Sequence, residues 1–113
     1  MIYVMNTLIV PINFDKEKSA NVDFYLVDVS WVKHLLKIKS WESVVGHEGT
    51  AKILSQILGV EIPFNRKSVY FDVGDIGIHF FLKQRLPEGK ILTEEEVKNL
   101  EYWLVQSKVK VFE

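Results

Sequence analysis

One amphipathic helix, set among strand-like segments, limits what this chain can fold into. Its apolar side chains recur at three- and four-residue spacing from His47 to Leu58, and Gly59 follows at the position where helices commonly end. A helix of this kind buries its apolar stripe against a second layer of structure. Because segments rich in β-branched and aromatic residues lie on both sides of it, we predict that the second layer is a β-sheet.

The neighbouring segments predict the order β-β-α-α-β-β-α-β. Ser30 is expected to cap the first helix, and Thr93 and Glu96 form a capping box that opens the third. The predicted strands are Ile2–Val10, Asn21–Val29, Arg66–Val73, Ile76–Gln84 and Lys108–Phe112, and the predicted helices are Trp31–Lys39, His47–Leu58 and Thr93–Trp103, with turns at 74–75 and 86–90. We therefore expect an α+β fold with α/β character: a mixed sheet of about five strands flanked by helices, in a single domain over residues 1–113.

The composition narrows the function classes. The 113 residues are 48% hydrophobic and 26% charged, which is typical of a soluble globular domain. A net charge of −1 argues against a broad contact with duplex nucleic acid, and the absence of cysteine excludes disulfides and thiolate chemistry. The longest uncharged apolar run, Leu8–Ile12, is too short to cross a membrane, so we expect no membrane partner and a cytoplasmic location.

The three histidines do not form a metal-binding pattern. His34, His47 and His79 lie far apart in the sequence, and none has a second ligand two to four residues after it. We therefore expect no metal site and no cofactor. His34 is expected at the surface or boundary of a helix. His79 is interpreted as a half-buried strand residue, with a position lining a pocket as the alternative.

His47 differs because glycines flank it in the segment Gly46-His47-Glu48-Gly49, where the predicted helix begins. A helix N-terminus presents unpaired N–H groups and partial positive charge, which together favour a bound phosphate. Glycines at such a position cost about 1 kcal/mol each relative to alanine, and they let a ligand approach the backbone closely. From these residues alone two interpretations stay open: an anion site in which His47 acts as an acid, or a frayed helix start.

Arginine is rare in this chain and follows a side-chain amide each time. The 14 basic residues include only two arginines, Arg66 after Asn65 and Arg85 after Gln84. Because the guanidinium presents a planar fork of donors, arginine suits phosphate better than lysine does. A lysine-rich composition with two chance arginines is the alternative. Glu88 lies in a Pro-Glu-Gly sequence three residues after Arg85, and it is either part of the same site or an ordinary turn residue.

Several pieces of the sequence, taken in order, resemble the viral ring nucleases. These are small anti-CRISPR proteins of archaeal viruses and phages that act against type III systems, and they have host-encoded relatives. The matching pieces, which occur in the same order and are spread over nearly the whole chain, are Ile2–Asn6, Ile12-Asn13, Gly46–Thr50, Asn65-Arg66 and Gln84–Leu92. Gly49 stands where members of this family commonly have a small polar residue.

The resemblance implies a homodimer that binds cyclic tetra-adenylate between its subunits and cleaves it without a metal. The expected products are linear oligoadenylates with 2′,3′-cyclic phosphate ends. It implies His47 as the catalytic histidine and Glu88 as the glutamate that assists it. The residues implied in ligand binding are Arg66, Arg85, Asn6, Asn13, Gln84, Gly46 and Thr50.

Two alternatives belong to other function classes. A binding module would sequester a cyclic nucleotide with the same arginines and leave it intact. A viral protein–protein adaptor would instead use exposed tryptophans as anchors, and Trp31, Trp41 and Trp103 are the residues available. For these tryptophans, positions in the hydrophobic core are the competing interpretation.

Overall fold

A five-stranded sheet with a parallel centre organises the fold. The computed structural model describes residues 1–85 and 92–112. The strands are β1 Ile2–Met5, β2 Ala20–Leu26, β3 Trp41–Ser43, β4 Ile76–Leu82 and β5 Tyr102–Val111, and the helices are α1 Val29–Ile38, α2 Glu48–Leu58 and α3 Glu94–Lys98. The strand order is β2-β5-β4-β1-β3, in which β1 runs parallel to β3 and β4, and β5 runs antiparallel to β4 and β2. The expected α+β fold with a mixed five-stranded sheet is confirmed.

The helices cover one face of this sheet. Alternate side chains of the central strands point to that face, since successive residues of a strand project to opposite sides. The core there is built from Val4, Ile78, Phe80 and Leu104 of the sheet, Val32, Leu35 and Leu36 of α1, and Ala51, Ile53, Leu54 and Leu58 of α2. Among the described residues no helix is long and apolar enough to cross a membrane.

The opposite face of the sheet is covered only in part. Phe71 is fully buried there against Met5, Val44 and Val109. Towards the carboxyl ends of β1 and β4 the face stays open. Four large side chains that share this face through the strand registers define the open apolar patch, with exposed fractions of 51% for Phe24, 73% for Leu26, 36% for Phe81 and 43% for Trp103.

The predicted strand Arg66–Val73 and its hairpin with β4 are wrong. The segment 66–73 alternates apolar and polar residues, and Phe71 does turn inward, but its backbone partners are loop residues. The Phe71 N–H donates to the Pro11 carbonyl at 2.7 Å, and the Asn13 N–H donates to the Phe71 carbonyl at 2.9 Å. Because the segment lies over the sheet face and not along a sheet edge, it forms only an isolated bridge with Ile12.

Several element boundaries also differ from the predictions. Asp28 caps α1 in place of Ser30, since its carboxylate accepts the Trp31 N–H at 2.8 Å. The short strand β3 was not predicted. The capping box of α3 is confirmed, but this helix ends at Lys98, and after residues 99–101 the chain enters β5, which begins at Tyr102 and pairs with β4. The predicted turn at residues 86–90 lies outside the described residues.

Candidate functional site

His47 is the residue on which α2 begins. Its backbone is extended, and its Nδ1 accepts a hydrogen bond from the Thr50 N–H at 3.2 Å, so the imidazole itself caps the helix. A nitrogen that accepts carries no hydrogen, and the neutral ring therefore holds its proton on Nε2. The ring is exposed, whereas Thr50 is buried with its Oγ1 3.1 Å from the same Nδ1. The helix start is capped, so the interpretation as a frayed start is wrong.

Gly49 leaves room for the His47 ring. A Cβ atom at position 49 would lie 3.3 Å from Cε1 and 3.5 Å from Nδ1 of that ring. A side chain there would require the imidazole to shift by a few tenths of an ångström from its capping position. The glycine that departs from the ring-nuclease pattern thus has a local reason in this chain, which is the close packing of the ring against the first turn of α2.

Asn6 and Arg66 meet at Gly46, immediately before the cap. The Gly46 N–H donates to Asn6 Oδ1 at 3.3 Å, and Asn6 is the residue that follows β1. A Cβ atom at position 46 would lie 3.3 Å from Cγ of Arg66, so the stem of the arginine packs directly on the glycine. These contacts define the His47 cluster, which consists of Asn6, Gly46, His47, Thr50 and Arg66.

Asn65 holds the chain in the position from which Arg66 reaches this cluster. Its N–H donates to the Val45 carbonyl at 2.9 Å, and its Nδ2 donates to the Ser43 carbonyl at 2.7 Å. The Ser43 hydroxyl adds a bond to the Pro63 carbonyl at 2.6 Å. The sequence indicated an amide before each arginine, but the bracing role of Asn65 and Ser43 was not predicted.

The His47 cluster is rich in unused hydrogen-bond donors. The N–H groups of Glu48 and Gly49 have no intrahelical acceptor, as is usual in a first helical turn. Within residues 1–85 and 92–112, Asn6 Nδ2, His47 Nε2 and the Arg66 guanidinium also have no hydrogen-bond partner. Donors that converge on the positive end of a helix make a site for an anion.

Two predicted ligand residues lie at a different place, past the end of β4. The register pairs the last residue of β1, Met5, with His79, and β4 continues to Leu82. Those three additional residues extend about 10 Å. Gln84 and the exposed Arg85 follow, and these two residues define the β4 tip. The Glu101 N–H donates to Gln84 Oε1 at 3.2 Å and so fastens the tip to the residue before β5. Among the described residues of one chain, no hydrogen bond or ion pair joins the β4 tip to the His47 cluster.

Asn13 is occupied by a loop of its own. Its Nδ2 donates to Asp72 Oδ1 at 3.0 Å, and its Oδ1 accepts the Asp15 N–H at 3.1 Å. These bonds fasten the loop after β1 to the segment that carries Phe71. The structure therefore does not bring Asn13 into the His47 cluster. Glu88, the predicted assisting glutamate, lies outside the described residues.

His79 is fully buried, so its expected half-buried position is wrong. Its Nδ1 lies 2.7 Å from the Thr7 carbonyl oxygen, and its Nε2 lies 2.7 Å from Ser107 Oγ. A carbonyl oxygen only accepts, so Nδ1–H donates to Thr7 and the neutral Nε2 accepts from the Ser107 hydroxyl. Burial lowers the pKa of His79 below its ordinary value of 6.5, and the backbone hydrogen bond with Thr7 opposes that change in part.

The lowered pKa of His79 makes the stability depend on pH. Below the ordinary value of 6.5 the unfolded chain binds a proton more readily than the folded chain does. We expect the free energy of unfolding to be level above that pH and to decrease as the pH falls towards the lowered pKa. Denaturant titrations between about pH 5 and pH 8 measure this. His79→Asn is expected to remove most of the slope and His34→Asn to retain it; an unchanged slope in His79→Asn contradicts the assignment.

The tryptophans divide between core and surface. Trp41 is partly buried against the helix-side core. Trp31 is exposed, with its Nε1 donating to Gln106 Oε1 at 2.7 Å, and Trp103 is exposed and stacked on Phe81 with centroids 5.4 Å apart. The interpretation as core residues therefore holds for Trp41 alone.

Comparisons with known proteins agree with the fold and point to viral relatives. A family model described as STIV B116-like matches residues 2–104. Uncharacterized protein 26 of Sulfolobus islandicus filamentous virus (isolate Iceland/Hveragerdi) is 38% identical over 109 residues, which is 94% of this chain and 91% of that protein. Uncharacterized protein ORF117 of Acidianus two-tailed virus is 37% identical over 94 residues, which is 81% of this chain and 78% of that protein. The structure of B116 of Sulfolobus turreted icosahedral virus superposes with a TM-score of 0.79 at 19% identity, covering 95% of this chain and 97% of that one.

Proposed function

We propose that this chain, which belongs to the STIV B116-like family, is a ring nuclease that binds cyclic tetra-adenylate and cleaves it without a metal ion. The observation that carries the proposal is the His47 cluster, where an exposed imidazole, the side-chain stem of an exposed arginine and two free backbone N–H groups lie together at the start of α2. Loss of this second messenger would switch off type III CRISPR signalling. An anti-CRISPR role of this kind is consistent with relatives in archaeal viruses.

The proposed reaction needs little from the protein beyond orientation, charge and one proton. The ribose 2′-oxygen bonds to the adjacent phosphorus while the bond from phosphorus to the 5′-oxygen breaks. The hydroxyl proton passes to solvent, and protonated His47 delivers the Nε2 proton to the departing 5′-oxygen. The products carry a 2′,3′-cyclic phosphate and a 5′-hydroxyl. General acid catalysis of this kind contributes roughly 10²–10⁴-fold.

Thr50 supports this role because it suits both protonation states of the ring. The neutral ring accepts the Thr50 N–H at Nδ1. In the protonated ring Nδ1 becomes a donor, and Thr50 Oγ1 is an acceptor 3.1 Å away. The imidazole can thus keep its place at the helix start when Nδ1 gains a proton. Delivery of the Nε2 proton then leaves the Nδ1–H tautomer, and proton exchange with solvent restores the Nε2–H form. We assign Thr50 to positioning His47, in place of the ligand contact that the resemblance implies.

We assign stabilisation of the phosphorane charge to Arg66 and to the free N–H groups at the start of α2. As negative charge builds on the phosphorane oxygens, donors that are already oriented stabilise it without reorganising. Packing on Gly46 restricts the stem of Arg66 beside the helix start. Arg85 and Gln84 are proposed to bind another part of the ring, and Glu88 keeps the assisting role that the resemblance implies.

The size of the ligand supports a homodimer with the site between subunits. A ring of four nucleotides is two-fold symmetric, and a two-fold dimer places two copies of each residue around it. In one chain the β4 tip lies beyond the level of the His47 cluster, so a second chain would complete the surroundings of the ring. The open apolar patch lies on β2, β4 and β5 near the β4 tip, and exposed apolar surface of this kind is typical of protein interfaces.

Incubation with labelled cyclic tetra-adenylate in excess chelator tests the proposed function. We expect linear products whose ends resist phosphatase until acid opens the cyclic phosphate. Light scattering of the same sample is expected to give the mass of a dimer. Intact ring that stays bound would favour the sequestering module. No binding of any cyclic oligoadenylate would leave the adaptor, and a monomer with bound ring would contradict the shared site.

A further inference from the structure

We propose that His79 is a positioning residue for the His47 cluster, and that it acts through the Thr7 carbonyl on Asn6. Its effect on the rate of ring cleavage rests on the proposed function, whereas its effect on the position of Asn6 does not. His79 lies on β4 and is buried, so it does not touch the ligand. Its Nδ1–H instead holds the chain where β1 ends.

The hydrogen bond from His79 to Thr7 joins β4 to the loop that leaves β1. Met5 is the last residue of β1 and is paired with His79, Asn6 follows, and the Thr7 carbonyl returns to the His79 ring at 2.7 Å. Asn6 is therefore anchored on both sides by β4, through the strand register before it and through the histidine bond after it. From that position its Oδ1 accepts the Gly46 N–H.

Ser107 and Gly77 surround the opposite side of the His79 ring, at Nε2. Because the Thr7 carbonyl only accepts, Nδ1 carries the proton, and the fully buried Ser107 on β5 donates its hydroxyl to Nε2. Gly77 provides the space, because a Cβ atom there would lie 2.5 Å from Ser107 Oγ and closer still to His79 Nε2. Gly77 on β4 and Ser107 on β5 thus hold the ring in the orientation in which its Nδ1–H donates to the Thr7 carbonyl.

A matched pair of variants separates this role from simple core packing. In His79→Asn the side-chain amide can replace Nδ1–H and still donate to Thr7. In His79→Gln the longer side chain can replace Nε2 and bond Ser107, but it leaves the Thr7 carbonyl without its donor. Both variants lose one hydrogen bond, and asparagine loses more volume than glutamine, so a packing role alone would affect His79→Asn at least as strongly as His79→Gln.

We expect the Gly46 amide to exchange with solvent about tenfold faster in His79→Gln than in the natural protein, and to be nearly unchanged in His79→Asn. Nuclear magnetic resonance measures this without any ligand. For ring cleavage we expect kcat to fall about tenfold in His79→Gln with little change in KM, because small displacements of a reacting group are costly. Equal loss in both variants, or unchanged Gly46 exchange in His79→Gln, would overturn the inference.

The ring tautomer gives a measurement on the natural protein that does not depend on whether a variant folds. Nitrogen-15 shifts are expected to show His79 protonated at Nδ1, and an Nε2–H tautomer would overturn the inference. If the natural protein cleaves no cyclic tetra-adenylate, the proposed function fails. The exchange and tautomer results would still decide whether His79 positions Asn6.

Discussion

Cleavage of cyclic tetra-adenylate is expected to fall by about 10²–10⁴-fold in His47→Ala and in His47→Asn, while both bind the ring nearly as well as the natural protein does. Alanine removes both the acid and the helix cap. Asparagine removes only the acid, since its Oδ1 can accept the Thr50 N–H as Nδ1 does. The free energy of unfolding should therefore drop by about 1 kcal/mol in His47→Ala and stay near the natural value in His47→Asn.

Single-turnover cleavage, ligand titration and denaturant unfolding on the same preparations check these expectations. His34→Asn is the matched control, because His34 is also an exposed helix-associated histidine. Cleavage that persists in His47→Asn would mean that His47 only caps α2 and that the acid is another group. Loss of ring binding in His47→Asn would assign His47 to affinity and not to chemistry.

Gly77→Ala is expected to give the largest loss of stability, about 2–4 kcal/mol, from overpacking and broken hydrogen bonds together. The added Cβ would meet Ser107 Oγ at 2.5 Å and His79 Nε2 at a shorter distance. Neither atom can retreat, since both residues are fully buried on adjacent strands. The His79 ring must move, and its bonds to Ser107 and Thr7 are lost.

Gly46→Ala is the control for this prediction. Its Cβ would lie 3.3 Å from Cγ of the exposed Arg66 side chain, which can shift into solvent, and at ordinary contact distance from Cβ and Cα of Arg66, so we expect a change below about 1 kcal/mol. Urea titration of both variants measures the difference. A Gly77→Ala protein as stable as Gly46→Ala would show that the His79 region accommodates a methyl group and that the His79 ring is not tightly held.

The local part of the site could be predicted from the sequence because its signals are adjacent in the chain. Apolar spacing and Gly59 locate α2, and the structure places its beginning within one residue of the prediction. What the sequence could not decide was whether the start is ordered. Preferred caps are serine, threonine, aspartate and asparagine, and a histidine cap depends on the ring orientation that Gly49 permits.

The long-range part could not be predicted, because its partners are distant in the chain. Asn65 bonds to Ser43, 22 residues earlier, and His79 bonds to Ser107, 28 residues later. The strand β3 has three residues and owes its form to pairing with β1. In segment 66–73 the alternation indicated which side chains turn inward, but alternation alone does not say whether a free strand edge is available.

A histidine that caps its own helix brings preorganisation to the proposed reaction. Ordering a mobile side chain at the moment of binding costs about 0.5–1.5 kcal/mol. The His47 imidazole is already held by the Thr50 N–H, so the loss of its rotational freedom occurs when α2 forms and not when a ligand arrives. The loss of side-chain entropy therefore lowers the stability of the folded domain and not the affinity for a ligand. Any ligand binds to a ring that is already oriented.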